Sequence, residues 1–314
     1  MKDSIKPLPH SPVLYHEIIQ AIAPHAGGKY IDGTLGAGGH TQGILKHSSP
    51  DGCVLGIDLD QEAIEIAAGY LSSYQERVII RHGSYVDLEK FAAEIGWKFV
   101  DGIILDLGVS SIQLDNSQRG FSFMRSGNLD MRFGTRIEKT AADLINSASE
   151  EELAKILWQY GEEKFSRRIA RLIVKNRPLV STNQLANLVI EAYRNKHSQH
   201  HPATRTFQAI RIAVNRELEA IETVLPRATS LLKPGGRLAV ISFHSLEDRL
   251  VKTYFRQESS DCICPPEQPV CNCNHKKTLK EVNRKPIEPT KEEKESNPRA
   301  RSAKLRIAER LKLA

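Results

Sequence analysis

The stretch Lys29–His40, KYIDGTLGAGGH, joins a short apolar strand to a glycine-rich turn. A second apolar run, Cys53–Ile57, ends at Asp58, and a later one, Val100–Leu105, ends at Asp106. Helical patterns separate these runs. Strands that alternate with helices and are apolar on both faces predict a parallel sheet covered on both sides. We therefore expect a doubly wound, Rossmann-like α/β fold.

The alternation of strands and helices stops after residue 113 and resumes with an amphipathic helix at Phe207–Ile221. The residues between carry helical patterns without a convincing strand, which predicts an inserted all-helical domain. The last residues are rich in Lys, Glu, Asn and Pro, and we expect a poorly packed tail with a short helix at Ala303–Leu313. The predicted boundaries are an α/β domain at 1–113 and 206–258, the insertion at 114–205, and a cysteine-containing loop with a basic tail at 259–314.

The composition indicates the broad class of protein. The 314 residues are 40% apolar, and no run approaches the roughly 18 apolar residues of a membrane span. The N-terminus has no apolar signal core, and five cysteines are too few for a disulfide scaffold. We expect a soluble, cytoplasmic protein that does not bind membranes.

Charge is distributed unevenly along the chain. Residues 1–114 carry a balance of −6, residues 115–206 of +5 and residues 275–314 of +7, within a net charge of +6. This segregation is typical of an acidic core that handles a small ligand, flanked by basic surfaces that attract a polyanion. Basic blocks that are only solvated surfaces fit the same numbers.

The glycine-rich turn indicates the ligand. Position 41 is Thr41, so the third glycine of a dinucleotide fingerprint is missing, and the turn also lacks the Lys-Ser/Thr of a phosphate-binding loop. Asp58 follows Gly38 by 20 residues, where a carboxylate can accept both hydroxyl protons of a ribose. A glycine turn, this acid and the later turn Leu232–Gly236 are the arrangement of S-adenosylmethionine-dependent methyltransferases. A glycine turn alone is often only a tight backbone turn.

Longer motifs extend this pattern over nearly the whole chain. The sequence resembles the bacterial small-subunit ribosomal RNA cytosine-N4 methyltransferase family (methyltransferase H) in the runs His10–Leu14, Asp32–His40, Asp106–Ser111, Arg119–Phe123, Leu129–Arg132, Tyr160–Glu163, His201–Ala209, Ser242–Arg249 and Asn297–Ser302. The resemblance implies a methyltransferase fold with a helical insertion. It also implies S-adenosylmethionine as cofactor and methylation of the exocyclic N4 of one cytidine in the decoding region of 16S rRNA within the small ribosomal subunit.

The resemblance also assigns cofactor-binding residues, namely Gly38, Gly39, His40, Asp58, Tyr85, Asp106 and Gln113. The chain departs from the family pattern at one place beside this set. Ile112 stands where the family has proline, which fixes φ. We therefore expect a more flexible loop before Gln113.

Two residues are candidates for catalysis. The N4 lone pair of cytosine is delocalised into the ring, so an acceptor on its N–H groups would favour the reactive form and could take the proton. Asp106 is the first candidate for that role and His244 the second, with Ser110, Ser111 and Glu247 as secondary candidates. A capping or cofactor-binding carboxylate is the alternative for Asp106. For His244 the alternative is a structural residue at a helix start capped by Ser245.

Basic residues of the insertion and the tail predict contacts with RNA phosphates. Four of them recur at helical spacing and are expected in one row, and the whole predicted set is Arg119, Arg132, Lys164, Arg168, Arg171, Lys175, Arg205, Arg299 and Arg301. Arg306 is a further candidate. Phe121 and Phe123 are expected either to stack on an extruded base or to pack in a core.

Four cysteines lie within twelve residues as Cys262-Ile-Cys264 and Cys271-Asn-Cys273. Such thiols could hold zinc, with His275 as a spare ligand. The single residue between the members of each pair departs from common zinc spacings, and the neighbouring prolines suit a plain loop. No metal site is assigned from the sequence.

Two other functions fit the same residues. The chain could be an rRNA-binding assembly factor of the small subunit whose methyltransferase activity is incidental. It could also be the same fold methylating DNA or protein. Gly38, Asp58 and Asp106 favour the enzyme, because a pure binding protein needs no acidic cofactor pocket.

Overall fold

A computed structural model describes residues 12–194, 201–265, 267–268 and 270–312. His10, Ser11 and Leu313, which belong to predicted motifs or elements, lie outside the described residues. The chain forms two compact units. One is Val109–Glu217, and the other combines Met1–Gly108 with Leu218–Ala314. We call them the helical unit and the sheet unit.

The sheet unit contains a seven-stranded sheet among the described residues, with the order β3-β2-β1-β4-β5-β7-β6. The neighbours from β3 to β5 are parallel, and β7 is antiparallel to both of its neighbours. The strands are β1 (Lys29–Asp32), β2 (Cys53–Asp58), β3 (Val78–His82), β4 (Val100–Asp106), β5 (Leu232–Ser242), β6 (Leu279–Glu281) and β7 (Lys304–Arg310). The predicted doubly wound, Rossmann-like α/β fold is confirmed.

The helices follow in chain order with these bounds: α1 (Tyr15–Ile22), α2 (Gly39–His47), α3 (Gln61–Tyr70), α4 (Leu88–Glu94), α5 (Ser111–Asp115), α6 (Ala141–Ser147), α7 (Glu150–Gly161), α8 (Ser166–Lys175), α9 (Thr182–Tyr193), α10 (Ala203–Asn215), α11 (Glu217–Leu231), α12 (Ser245–Glu258) and α13 (Lys291–Ser296). Helices α5 to α10 belong to the helical unit, and the others, apart from the first residue of α11, belong to the sheet unit.

Successive residues of the central strands belong to two different cores. On β1 and β4, Ile31 and Ile103 pack with α4, α11 and α12, whereas Tyr30 and Ile104 pack with α1, α2 and α3. All four side chains are fully buried. Because side chains alternate along a strand, a strand buried on both faces must be apolar at every position. This explains why the strand runs have no polar alternation.

The helical unit has its own core, to which Leu153 and Leu157 of α7 and Ile169 and Ile173 of α8 contribute. Its described residues form helices and turns with one isolated β-bridge, between Asn128 and Ser181. The unit spans 109–217, wider than the predicted 114–205.

The helix predicted at Phe207–Ile221 was wrong as a single element. Arg216 has a φ of 50° and separates α10 from α11. Helices commonly end at a left-handed residue, so α10 and α11 are separate elements. The apolar spacing continues through this break, which is why the sequence pattern did not reveal it.

The predicted helix at Ala303–Leu313 was also wrong, because Lys304–Arg310 forms β7 inside the sheet. Leu305 and Ile307 are buried on one face. On the other face Arg306 is 4% exposed, and its Nε lies 2.6 Å from Asp248 Oδ1. The buried ion pair explains how a charged segment occupies an interior strand. Arg306 is therefore not available to phosphates as the sequence predicted.

No helix among the described residues is long and apolar enough to cross a membrane.

Candidate active site

The carboxyl ends of β1, β2 and β4 place three aspartates at one edge of the sheet, where ligands bind in this class of fold. They are Asp32, Asp58 and Asp106. The glycine-rich turn connects β1 to α2 at this edge, and its backbone is tied to both neighbouring strands. Gly33 N donates to Ile104 O at 2.9 Å, and Leu35 N donates to Ile57 O at 2.9 Å.

Two glycines of this turn are required by its geometry. A Cβ on Gly33 would lie 2.6 Å from Leu105 Cδ2 and 3.1 Å from Tyr85 Cβ, so a side chain would overlap the core. Gly38 has a φ of 87° and precedes α2, whose N-terminus is not capped by any side chain among the described residues. The first N–H groups of α2 are therefore available to a ligand.

Asp58 fixes the glycine turn to the end of β2. Its Oδ2 accepts from Gly36 N at 2.7 Å, and its Oδ1 accepts from Asp60 N at 2.9 Å. Burial raises the pKa of Asp58 to about 6, although both hydrogen bonds act in the opposite direction. The residue predicted to bind a ribose thus also holds the shape of the turn.

Asp32 is a site residue that the sequence analysis did not single out. It is fully buried, and its Oδ2 accepts from Thr41 Oγ1 at 2.7 Å while its Oδ1 accepts from Thr34 N at 3.3 Å. Burial raises the pKa of Asp32 above its usual value. These bonds join the end of β1 to the first turn of α2. The only sequence signal was an aspartate directly before the glycine turn.

His40 and Asp106 bring unpartnered polar atoms to the same edge. The His40 side chain is 7% exposed, and its Nε2 lies 3.7 Å from Asp106 Oδ2, beyond hydrogen-bond distance. Within the described part of the chain, both ring nitrogens of His40 and Asp106 Oδ1 have no hydrogen-bond partner. Asp106 is held through its backbone N–H, which donates to Thr34 Oγ1 at 2.6 Å. Because buried polar atoms are normally paired, these atoms mark a place where a ligand supplies partners.

Tyr85 lies beside the glycine turn, with its Cβ 3.1 Å from where a Cβ on Gly33 would be, and its contact with the cofactor stays a prediction. It begins a short 3-10 turn after β3 and is partly buried against the core of the sheet.

His244 lies at the carboxyl end of β5 and caps α12. Its Nδ1 accepts from Glu247 N at 3.3 Å, while Glu247 Oε2 accepts from Phe243 N at 2.7 Å and from His244 N at 3.2 Å. The expected N-cap, Ser245, was wrong, because His244 occupies that position and forms the capping box. A histidine is an unusual cap, so the sequence favoured the serine. The capping role gives His244 a structural function.

In the helical unit, Gln113 also forms a capping box. Ser110 N donates to Gln113 Oε1 at 3.1 Å, and Gln113 N donates to Ser110 Oγ at 3.2 Å, at the start of α5. Gln113 is 4% exposed. The sequence prediction of a cofactor contact from this side chain stays a prediction.

Arg119 and Arg132 make internal hydrogen bonds. Arg119 Nη2 donates to the backbone oxygens of Arg132 and Phe133, both at 3.0 Å. Arg132 forms two bonds of 2.8 Å to the carboxylate of Asp130. Burial alone would raise the pKa of Asp130, but the bonds from Arg132 hold it below its usual value. Both arginines therefore stabilise the segment that was predicted to contact RNA.

The two phenylalanines of this segment pack against aromatic neighbours. Phe121 is 8% exposed and stacks on Phe133 with ring centroids 5.6 Å apart. Phe123 stacks on His201 at 4.4 Å and meets Phe207 edge-on at 5.2 Å. Of the two expectations for these rings, the structure shows core packing.

The predicted row of cations is only partly on one helix. Arg168, Arg171 and Lys175 lie on α8, whereas Lys164 precedes it. Arg171 and Lys175 are exposed, and Arg171 Nε lies 3.5 Å from Glu150 Oε1. Arg205 is exposed and donates to Glu162 O at 3.0 Å.

In the sheet unit, Arg299 and Arg301 lie on a 3-10 turn at Pro298–Ser302, and Arg301 is exposed. The same unit has a basic cleft of about 560 Å³ that was not predicted, because a block of basic residues does not reveal that some of them line one cavity. Its lining includes Arg256, Lys277, Lys280 and Arg284.

Comparisons with known proteins identify the chain. A sequence model described as the MraW methylase family matches residues 7–311. The chain belongs to the MraW methylase family. It is 51% identical to a ribosomal RNA small subunit methyltransferase H from Syntrophotalea carbinolica, over 96% of this chain and 98% of the relative. A protein of the same name from Thermomicrobium roseum is 49% identical, over 96% of this chain and 94% of the relative.

Among solved structures, the chain is similar to an rRNA methylase from Streptococcus thermophilus, with a TM-score of 0.44 and 9% identity over 95% of this chain and 94% of that chain. The predicted family, the methyltransferase activity and S-adenosylmethionine as the cofactor of this methylase are confirmed.

Ile112 stands at a position where the family pattern has proline. It lies in the first turn of α5, and its carbonyl accepts from Asn116 N at 3.2 Å. Proline is also compatible with the first turn of a helix. The segment predicted to be a flexible loop is therefore helical.

Proposed function

We propose that this MraW-family methylase transfers a methyl group from S-adenosylmethionine to the exocyclic N4 of one cytidine in the decoding region of 16S rRNA. Its small-subunit target is supported by the name of relatives that are about half identical over nearly the whole chain. The structural observation that carries the proposal is a group of polar atoms of His40 and Asp106 beside the glycine turn that have no hydrogen-bond partner among the described residues.

The residues at the carboxyl edge fit S-adenosylmethionine. The turn leaves no room for a Cβ at Gly33, and the uncapped N-terminus of α2 begins at Gly39. Asp58 would accept hydrogen bonds from the ribose hydroxyls, and Tyr85 would lie near the adenine. Gly38, Gly39, His40 and Asp106 complete the proposed cofactor set of the sheet unit. When bound, S-adenosylmethionine supplies a methyl group that is already activated on a sulfonium centre.

Asp106 is the proposed proton acceptor. Its carboxylate would accept a hydrogen bond from the N4 amine and take the proton that the amine loses as the N–CH3 bond forms. The backbone bond from Asp106 N to Thr34 Oγ1 fixes the end of β4, so the carboxylate is positioned before the substrate arrives. His244 is proposed as the second catalytic residue. Its contacts with Glu247 at the start of α12 fix the orientation of the imidazole ring.

Basic side chains, most of them exposed, would bind the phosphates of the RNA without reading its sequence. Lys164, Arg168, Arg171, Lys175 and Arg205 are the proposed contacts of the helical unit, and Arg299 and Arg301 those of the sheet unit. The internal bonds of Arg119 and Arg132 favour a different role for these two, which is to hold the shape of the segment that meets the RNA.

The experiment is methyl transfer from labelled S-adenosylmethionine to isolated small subunits and to naked 16S rRNA, followed by digestion and nucleoside analysis. We expect label in N4-methylcytidine. Label in a ring-carbon or ribose methyl would refute the N4 assignment, and label only in protein or DNA substrates would refute the RNA target. Stable RNA binding without any transfer would favour an assembly factor.

A further inference from the structure

The segment between α12 and β6, residues 259–278, has neither helix nor strand among its described residues. Its base is closed by Thr278, whose N donates to Glu258 O at 2.8 Å and whose Oγ1 donates to Glu258 Oε2 at 2.5 Å. The apolar side chains within it do not form a core, because Ile263 is 43% exposed and Val270 is 73% exposed. Long loops of this kind need another source of order.

The four cysteines of this loop converge on one point. Cys262 Sγ lies 3.4 Å from Cys271 Sγ and 3.9 Å from Cys273 Sγ. Cys271 Sγ also lies 4.0 Å from Cys264 Sγ and 3.5 Å from Cys273 Sγ. All four sulfurs lie within 4.8 Å of one another.

These separations match a tetrahedral thiolate site. With zinc–sulfur bonds of about 2.3 Å, the sulfurs of a regular tetrahedron are about 3.8 Å apart. The four sulfur–sulfur distances given above lie on both sides of that value. Each Cys-X-Cys pair therefore contributes two neighbouring ligands, although its spacing of one intervening residue is shorter than the spacings of common zinc sites.

Backbone groups around the cluster suit thiolate ligands. Cys264 N donates to Cys262 Sγ at 3.4 Å, and Cys273 Sγ accepts hydrogen bonds from the backbone of Ile263 and His275. N–H groups that point at sulfur stabilise its negative charge and orient the ligand.

The histidine and the aspartate of the loop are engaged elsewhere. The His275 ring nitrogen Nε2 lies 3.2 Å from Gln257 O, so the predicted spare ligand is bound to the end of α12. Asp261 pairs with Lys277 at 3.0 Å. Among the described residues, the ligand set is therefore four sulfurs, which select a soft ion with tetrahedral preference.

We propose that Cys262, Cys264, Cys271 and Cys273 bind one zinc ion. Because four protein ligands fill the coordination sphere, the ion is structural and leaves no position for substrate. It orders a loop that has no apolar core. The loop includes Lys277, which lines the basic cleft of the sheet unit, so the ion also fixes one wall of that cleft.

The test measures metal content of the full-length chain, grown with zinc and purified without chelators or a histidine tag. Elemental mass spectrometry should find about one zinc ion per chain in the wild type and in Cys53→Ser. Cys53 is a matched control, because it lies outside the cluster and its Sγ donates to Asp51 O. The double variant Cys262→Ser/Cys271→Ser should hold less than about one tenth of a zinc per chain.

Two further measurements use the wild type, so that a variant that fails to fold does not decide the outcome. Replacement by Co²⁺ should give the intense visible absorption of a tetrahedral thiolate complex, and removal of zinc should accelerate trypsin cleavage after Lys276 and Lys277 by about tenfold. Wild-type protein without zinc that also fails to bind Co²⁺ would overturn the proposal. Two disulfides in the non-reduced protein, or iron in place of zinc, would overturn it as well.

Discussion

The pH dependence of cofactor binding tests the role of Asp58. Burial raises the pKa of Asp58 to about 6 in the folded chain. A carboxyl that must be ionised to accept ribose hydroxyls loses this ability as the pH falls through its folded pKa. With a pKa of about 6, about one molecule in eleven is ionised at pH 5, so affinity should fall about tenfold between pH 8 and pH 5.

The variant Asp58→Asn isolates this carboxyl. It removes the charge and replaces one of the two acceptors that hold Gly36 N and Asp60 N. We expect affinity for S-adenosylhomocysteine to be at least about tenfold weaker at pH 8 and nearly independent of pH, since a charge-assisted hydrogen bond contributes about 1.5–3 kcal/mol. Equilibrium dialysis with the labelled ligand measures both effects.

The control is Asp51→Asn. Asp51 also accepts a glycine N–H at 2.7 Å, from Gly27, but it precedes β2 at the opposite edge of the sheet. This variant should keep the affinity and the pH dependence of the wild type. A wild-type affinity that does not change between about pH 5 and pH 8, or a wild-type pH dependence in Asp58→Asn, would exclude the proposed role of Asp58.

Three further changes test the site and its surroundings. Asp106→Asn should lower the single-turnover rate of methyl transfer by about 100-fold, whereas Asp101→Asn, at the other end of β4, should not; equal rates for both would exclude the proton role. Gly33→Ala should lower the free energy of unfolding by about 1–3 kcal/mol in urea titrations, because its Cβ would meet Leu105, while Gly69→Ala, with open space around it, should not destabilise the chain. The third change replaces four cations by Gln, namely Lys164, Arg168, Arg171 and Lys175. It should lower the salt dependence of RNA binding by about one unit of slope for each phosphate that is no longer neutralised. An unchanged slope would place the RNA elsewhere.

The parallel strands and the glycine turn could be predicted from the sequence because their determinants are local. Apolar runs that end in aspartate gave β2 and β4 within one residue of their observed bounds. The strand β7 could not be predicted, because Arg306 contradicts an apolar pattern and its partner Asp248 is distant in sequence. A hydrophobic pattern does not reveal a buried charge that is neutralised by a residue of another element.

Part of the candidate site could be predicted because its determinants are also local. Asp58 and Asp106 follow strands directly, so their position at the sheet edge follows from topology alone. The hydrogen bond from Thr41 to Asp32 depends on how α2 returns over β1, which no local pattern specifies. The internal bonds of Arg119 and Arg132 show the same limit, because a charge pattern does not reveal which cations are already paired.

Hydrogen exchange of backbone amides, with and without S-adenosylmethionine, tests most directly where the cofactor binds. Bound cofactor should slow exchange of the amides at 36–41 by about tenfold or more, while the amides of β7 should not change. Protection that is absent at this turn, or that appears only elsewhere in the chain, would contradict the assignment of the cofactor to the carboxyl edge of β1, β2 and β4.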